Sequence, residues 1–191
     1  MPTWIFEPGH TAAEFRARHM MVVWVCGHIK DVHGSLHFDP DNPTQLTVDA
    51  TLEPHKLWSG EAQRDDHLRS ADFLDVGQYP TITFKSTGSK CVGASDYEVA
   101  GELTIRGISR PVVLQAHYLG KWRTPYWTDK GDAGPITRVG FIGEARINRD
   151  DFQASWNGQL ENGGVIVGDE VLIKLDVEAL LETELKQAGV A

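Results

Sequence analysis

The 191-residue sequence has only two cysteines, Cys26 and Cys91, too far apart for a CxxC pair. That excludes a disulfide-dense scaffold and a cysteine-rich zinc site, and two free thiols in a reducing compartment are expected; a disulfide is compatible but not required. No stretch approaches the roughly 18 apolar residues of a membrane-spanning helix. The start, Met1-Pro2-Thr3-Trp4-Ile5-Phe6-Glu7, shows no basic segment and no apolar core of a secretory signal, so a cytoplasmic location is expected. Positive charge is in deficit, with 18 Lys and Arg against 27 Asp and Glu, a net −9. The richest basic stretch, 121–138, holds only Lys121, Arg123, Lys130 and Arg138. An acidic surface without a basic stripe repels phosphate backbones, so nucleic acid is not an expected partner.

Motifs of known chemistry are missing too. His28, His33 and His37 lie close together, but they span a glycine-containing turn and no HExxH helix motif appears, so no metal site is expected. There is no Gly-x-Ser-x-Gly elbow. Gly163, Gly164 and Gly168 precede a strand, whereas a phosphate cradle needs a helix start.

What is present is alternation. Val171, Ile173, Leu175 and Val177 alternate with Leu172, Lys174, Asp176 and Glu178, a strand with one dry face. Similar patterns surround Phe15 and Ala17, Leu36 and Phe38, Val48 to Leu52, Ile82 and Phe84, Val99 to Ile105, Val112 and Leu114, and Phe141 to Ile147. With 19 glycines and 9 prolines as punctuation, about eight or nine strands are predicted in one all-β domain, residues 1–191. Helical signals are few. Ser59 to Leu68 predicts a helix capped by Ser59, a short turn is expected from Ser70 or Asp72 with Leu74 inward, Met20 to Val23 reads as a helical turn or a bulge, and Ala179 to Gln187 as a short helix. Periodicity leaves both an up-and-down barrel and a sandwich open.

The most unusual segment runs from Arg64 to Pro80, where charges of both signs crowd beside Phe73, Leu74 and Tyr79. It reads as a rim in which Arg64 and Arg69 hold an anionic headgroup, or as a loop held by Arg–Asp pairs and helix caps. His19, Asp65 and His67 would be the acid–base candidates if the chain had catalytic chemistry.

Several segments together resemble the YceI-like family of lipid-binding proteins. They are His10-Thr11-Ala12-Ala13-Glu14-Phe15 with His19-Met20-Met21, Val25-Cys26-Gly27-His28-Ile29, Gly34 to Asp39, Arg64-Asp65-Asp66-His67-Leu68, Phe73, Tyr79 to Phe84, Gly101 to Gly107 with Arg110-Pro111-Val112, Gly140-Phe141 and Ile147 to Phe152. Each motif is weak alone; their shared order, from about Trp4 to Leu180, is specific.

The resemblance implies an extended antiparallel lipocalin-like β-barrel with short helical insertions. It also implies a long interior pocket for an isoprenoid of quinone or polyprenyl type, or a fatty-acyl lipid, with no other cofactor. Phe15, Met20, Trp24, Phe38, Leu68, Phe73, Phe84, Leu103, Phe141 and Phe152 are the expected inward residues. Arg64, Asp65, His67 and Tyr79 are expected at the mouth, with His19 beside them. The expected function is non-catalytic binding, carriage or storage of the lipid. The alternatives are a lipid hydrolase or isomerase using His19, Asp65 or His67, and an interaction module working through 121–138. A homodimer is suggested by the resemblance and by aromatics at a barrel rim. Three features depart from the family pattern: Gln153 stands where a glycine is usual, the Trp-rich stretch 121–138 is longer, and the secretory signal of many members is not seen.

Overall fold

The structure, a computed structural model, describes residues 1–129 and 131–189; Lys130, one of the basic residues named above, lies outside them. Eleven antiparallel strands make one sheet: β1 (Thr3–Phe6), β2 (Ala12–His19), β3 (Val23–Lys30), β4 (His33–Phe38), β5 (Leu46–Leu52), β6 (Leu57–Trp58), β7 (Ile82–Cys91), β8 (Asp96–Ile105), β9 (Ile108–Thr128), β10 (Gly131–Asn148) and β11 (Val167–Leu181). The helices α1 (Ala62–Arg69) and α2 (Glu182–Gln187) are short.

The sheet closes on itself. β11 pairs with β1 at one end, Trp4 opposite Leu181, and with β2 at the other, Phe15 opposite Ile173, so β1 and β2 are one interrupted row. β4 and β3 likewise pair with β1 and β2 in turn, and β5 and β6 with β4 and β3. Eleven strands therefore occupy eight rows, in agreement with a closed barrel and not a sandwich. The interruption between β1 and β2 keeps its polar groups paired: the Glu7 amide donates to the Glu178 carbonyl at 2.9 Å, and the buried Thr11 hydroxyl donates to the same oxygen at 3.1 Å.

The two ends differ. At one end Tyr97, Tyr118 and Phe141 pack around Phe38, with ring centroids 5.8, 4.8 and 5.1 Å from it. Tyr97 donates its hydroxyl to the Pro43 carbonyl at 2.9 Å, and Trp4 donates its indole N–H to the Phe38 carbonyl at 2.8 Å, so the polar tips are satisfied as the rings are buried. Beyond this floor β9 and β10 run on as a two-stranded arm, residues 123–128 against 131–137. At the opposite end β5 pairs with β7 only from Asp49 to Leu52, and α1 and the following loop span the gap between β6 and β7.

Several local expectations are corrected. The cap of α1 is Glu61, whose carboxylate accepts from the Gln63 and Arg64 amides at 3.0 and 2.6 Å, whereas Ser59 is held by Asp65. A carboxylate at a helix N-terminus also meets the positive end of the dipole. Ser70 closes α1, its hydroxyl donating to the His67 carbonyl at 2.7 Å; the expected short turn does start there, with the Phe73 amide donating to the Ser70 carbonyl at 3.1 Å and Leu74 facing the barrel interior. Met20 to Val23 is neither helix nor bulge but the turn into β3. β11 continues to Leu181, so α2 begins only at Glu182. Gln153 adopts the left-handed conformation, φ 58°, so the backbone keeps the turn that a glycine favours.

Two glycines seat rings inside the barrel. A Cβ at Gly27 would fall within the ring of Phe15 directly across the pair, and one at Gly101 would meet both the Phe84 ring and the Lys85 carbonyl. Gly101→Ala is therefore expected to lower unfolding free energy by about 1–3 kcal/mol through overpacking, read by denaturant titration. The floor makes a second prediction. Burial pushes the Tyr97 and Tyr118 phenols above their ordinary value of 10.0. Stability from keeping them neutral is fully present below that value and is lost as pH rises through the raised folded values. Absorbance titration should show the two phenolates forming later than in the denatured chain, with alkaline unfolding over the same range.

Candidate functional site

The barrel interior is hollow. A cavity of about 240 Å³ runs along the axis, lined from all eight rows, among them by Phe15, Ile29, Val48, Phe84, Leu103, Leu114, Phe141, Ile173 and Leu175. Its accessible wall is apolar throughout. The inward residues of β11, Val171, Ile173, Leu175 and Val177, are only half-buried although they face the centre, because no side chain fills the axis. Small residues widen it: Gly143 lies between Leu114 and Leu175, and Ala145 opposite Ile173. An eight-row barrel is wide enough either to be filled by its own side chains or to hold one guest, and this one is not filled.

The aromatic floor closes one end. At the other the channel opens into a wider hollow of about 440 Å³ and shares Phe15, Ala17, Leu68, Phe73 and Val167 with it. The polar residues of this mouth are Arg18, His19, Glu61, Gln63, Arg64 and His67. His67 from α1 stands edge-on to Phe73 and Trp156, with centroids 5.0 and 4.7 Å away, and its Nε2 lies 2.8 Å from Asp72 Oδ2. Arg64 donates to the Ser59 hydroxyl and carbonyl at 2.7 and 2.8 Å, which ties the start of α1 to the end of β6.

Of the expected site residues, Phe15, Leu68, Phe73, Phe84, Leu103, Phe141 and Phe152 line the channel, and His19, Arg64 and His67 line its mouth. Five stand elsewhere. Met20 is on the exposed tip of the β2–β3 hairpin. Trp24 has the opposite parity to Val25 and points outward, with the Arg18 guanidinium 4.3 Å over its ring. Phe38 is the centre of the floor. Asp65 is buried, accepting from the Ser59 amide at 2.9 Å and from its hydroxyl. Tyr79 packs beside Gly107 and Arg106 at the β8–β9 turn.

His19, Asp65 and His67 are not assembled as an acid–base set: the Asp65 carboxylate is taken by Ser59, and His67 is paired with Asp72. Sequence reasoning missed Trp156 and Ile166 on the rim, which carry no periodic signal. It also missed the role of Arg149. This buried guanidinium donates to the carbonyls of Gly168, Trp156 and Val167 at 3.0, 3.1 and 3.1 Å and to that of Ala154. It thereby holds the 153–168 segment across the mouth.

Comparison with known proteins agrees with this architecture. Residues 4–179 match the YceI-like domain. Protein YceI of Escherichia coli O17:K52:H18 is 38% identical over 146 residues, 76% of this chain and 72% of that one. A UPF0312 protein of Azotobacter vinelandii is 34% identical over the same shares. Among solved structures, Burkholderia cenocepacia BcnA superposes with a TM-score of 0.71 at 24% identity, covering 91% of this chain and 98% of that one. A polyisoprenoid binding domain from Saccharophagus degradans superposes with a TM-score of 0.65 at 10% identity, covering 95% and 99%. A closed eight-row barrel, a matching domain over nearly the whole length and relatives above a third identical place this chain in the YceI-like family.

Proposed function

We propose that this protein binds one long apolar chain, of isoprenoid type, in the barrel interior and carries or stores it without chemical change. The observation that carries the reading is the channel: apolar, empty of side chains, closed by aromatics at one end and open at the other. A hollow of this kind is costly. At about 24 cal/mol per Å³ of cavity, 240 Å³ forgoes on the order of 6 kcal/mol. That is comparable with the whole stability of many domains, about 5–15 kcal/mol. A guest that fills it recovers packing, at about 0.8 kcal/mol for each buried methylene. The polyisoprenoid binding domain with the same fold supports the ligand class.

A polar end of the ligand would meet Arg64, His67 and His19 at the mouth, while Leu68 and Phe73 grip the first part of the chain. The hydrolase or isomerase reading finds no such support, since Asp65 and His67 are each committed to other partners. Two further features fit the proposed setting. Cys26 and Cys91 are exposed free thiols, compatible with a reducing compartment such as the cytoplasm. Along the arm, Leu119 to Trp127 of β9 pair only with β10 among the described residues, and Trp122 and Trp127 are exposed, an edge on which two copies can pair.

Native mass spectrometry and organic extraction of protein purified from its own host should yield a bound isoprenoid-type lipid, and added polyprenol should raise the melting temperature. Ala145→Trp, which fills the channel opposite Ile173, should keep the β-rich circular dichroism spectrum and weaken uptake about tenfold or more, since several methylenes lose their contacts. Absence of lipid after extraction, together with no uptake of polyprenol by the unmodified chain, would remove the reading.

A further inference from the structure

The hairpin between β2 and β3 is built against its own backbone preference. The Val22 amide donates to the His19 carbonyl at 3.1 Å, which makes Met20 and Met21 the two central residues of the turn. Both are left-handed, with φ 48° and 61°. A turn of this hand favours Asn-Gly, because a side chain at positive φ is crowded against its own backbone. The two methionines do not recover that cost by packing. Met20, Met21, Val22 and Val23 are 44, 56, 77 and 51% exposed, so four consecutive apolar side chains face solvent.

The tip adjoins the mouth. The Met20 amide donates to the Ile166 carbonyl at 2.7 Å, and His19 and Ile166 both line the opening. Trp156, 36% exposed, stands on the same rim. Although the chain carries a net −9, the mouth lining includes the arginines Arg18 and Arg64 and one carboxylate, Glu61; the Arg18 guanidinium itself turns to the outer face over Trp24. Arg16 joins Arg18 over Trp24 on the outer face just behind the tip. Strained apolar tip, rim tryptophan and flanking arginines are the composition that an interface of acyl chains and anionic headgroups rewards.

We propose that the His19–Val23 hairpin inserts into the surface of a lipid bilayer and seats the barrel mouth on it, so that an apolar chain passes between membrane and channel without crossing water. The passage rests on the interior being a lipid site; the insertion does not. A bilayer suits the tip better than a protein partner does. Four residues are far short of the roughly 1,200–2,000 Å² that a stable protein interface buries, whereas insertion gains affinity for each apolar side chain separately.

Flotation of the purified full chain with vesicles of equimolar phosphatidylcholine and phosphatidylglycerol tests the insertion. The comparison variant is Met20→Asn with Met21→Gly, which supplies the pair that the turn favours. It is expected to melt at or above the wild-type temperature while its vesicle-bound fraction falls about tenfold. Uptake of polyprenol presented on cyclodextrin should be unchanged, and transfer of polyprenol from vesicles should slow. Wild-type chain that does not float, or a variant that floats equally well, overturns the proposal. So does light scattering showing a wild-type dimer that the variant breaks, which would give the tip to a second copy. If flotation depends on the tip but no polyprenol is taken up by any route, the insertion stands and the lipid-carrier reading falls.

Discussion

Pairing between the first strands and the last is the contact on which the remaining structure depends. Trp4 faces Leu181, Phe15 faces Ile173, and the whole ring of eight rows closes through that seam. Once it closes, strand parity is global. Every second residue of every row must point at the same axis, and the sum of those side chains decides whether the axis is filled. Here the sum falls short at Gly143, Ala145, Ala13 and Ala17, and the difference is the channel. Where parity is right and volume is sufficient, at Phe38, Tyr118 and Phe141, the same ring becomes a floor. Floor and channel are therefore one packing problem with two local solutions.

Parity also explains what could be read without coordinates. Alternation located the strands, and inward residues such as Phe84, Leu103 and Phe141 followed from it. It could not close the ring, because pairing of Trp4 with Leu181 joins opposite ends of the chain and leaves no local mark; closure came from the ordered family segments. Trp24 differs because its parity in β3 is opposite to that of Val25 and Gly27: a large aromatic reads as core in sequence, but its ring lies outside under Arg18. Met20 failed for a related reason: apolar character was read as burial, though the turn puts it at the tip. Asp65 reads in sequence as a residue of the mouth and an acid–base candidate, not as the buried anchor of Ser59, since a carboxylate that accepts an amide and a hydroxyl looks in sequence like any other in a charged run.

The loops at the mouth are organised by arginines that bind backbone carbonyls. Arg149 gathers the carbonyls of the 153–168 segment, and Arg106 donates to the carbonyls of Ala71 and Phe73 in the loop after α1. A guanidinium has five donors in a fixed fork, so one side chain can satisfy several carbonyls that a loop cannot pair in a ladder. Both loops that form the rim are thus held by residues on the barrel frame. Irregular segments can then carry Trp156 and Phe73, with His67 of α1, in defined positions beside an apolar opening.

The two ends of the barrel accordingly treat exposed apolar surface in opposite ways. At the floor Tyr97 and Trp4 are covered and their polar tips are bonded. At the mouth Met20, Met21 and Val22 are left in solvent on a turn whose backbone would be more relaxed with other residues. A sequence shaped for stability alone would have filled the axis and relaxed that turn, since both changes lower the free energy of the isolated fold. Both departures lie on the path that an apolar chain would take into the barrel under the proposed function, one along the axis and one at its entrance. They are explained together if the folded chain is completed by a guest inside and an apolar phase outside, each recovering contacts that the polypeptide leaves unmade.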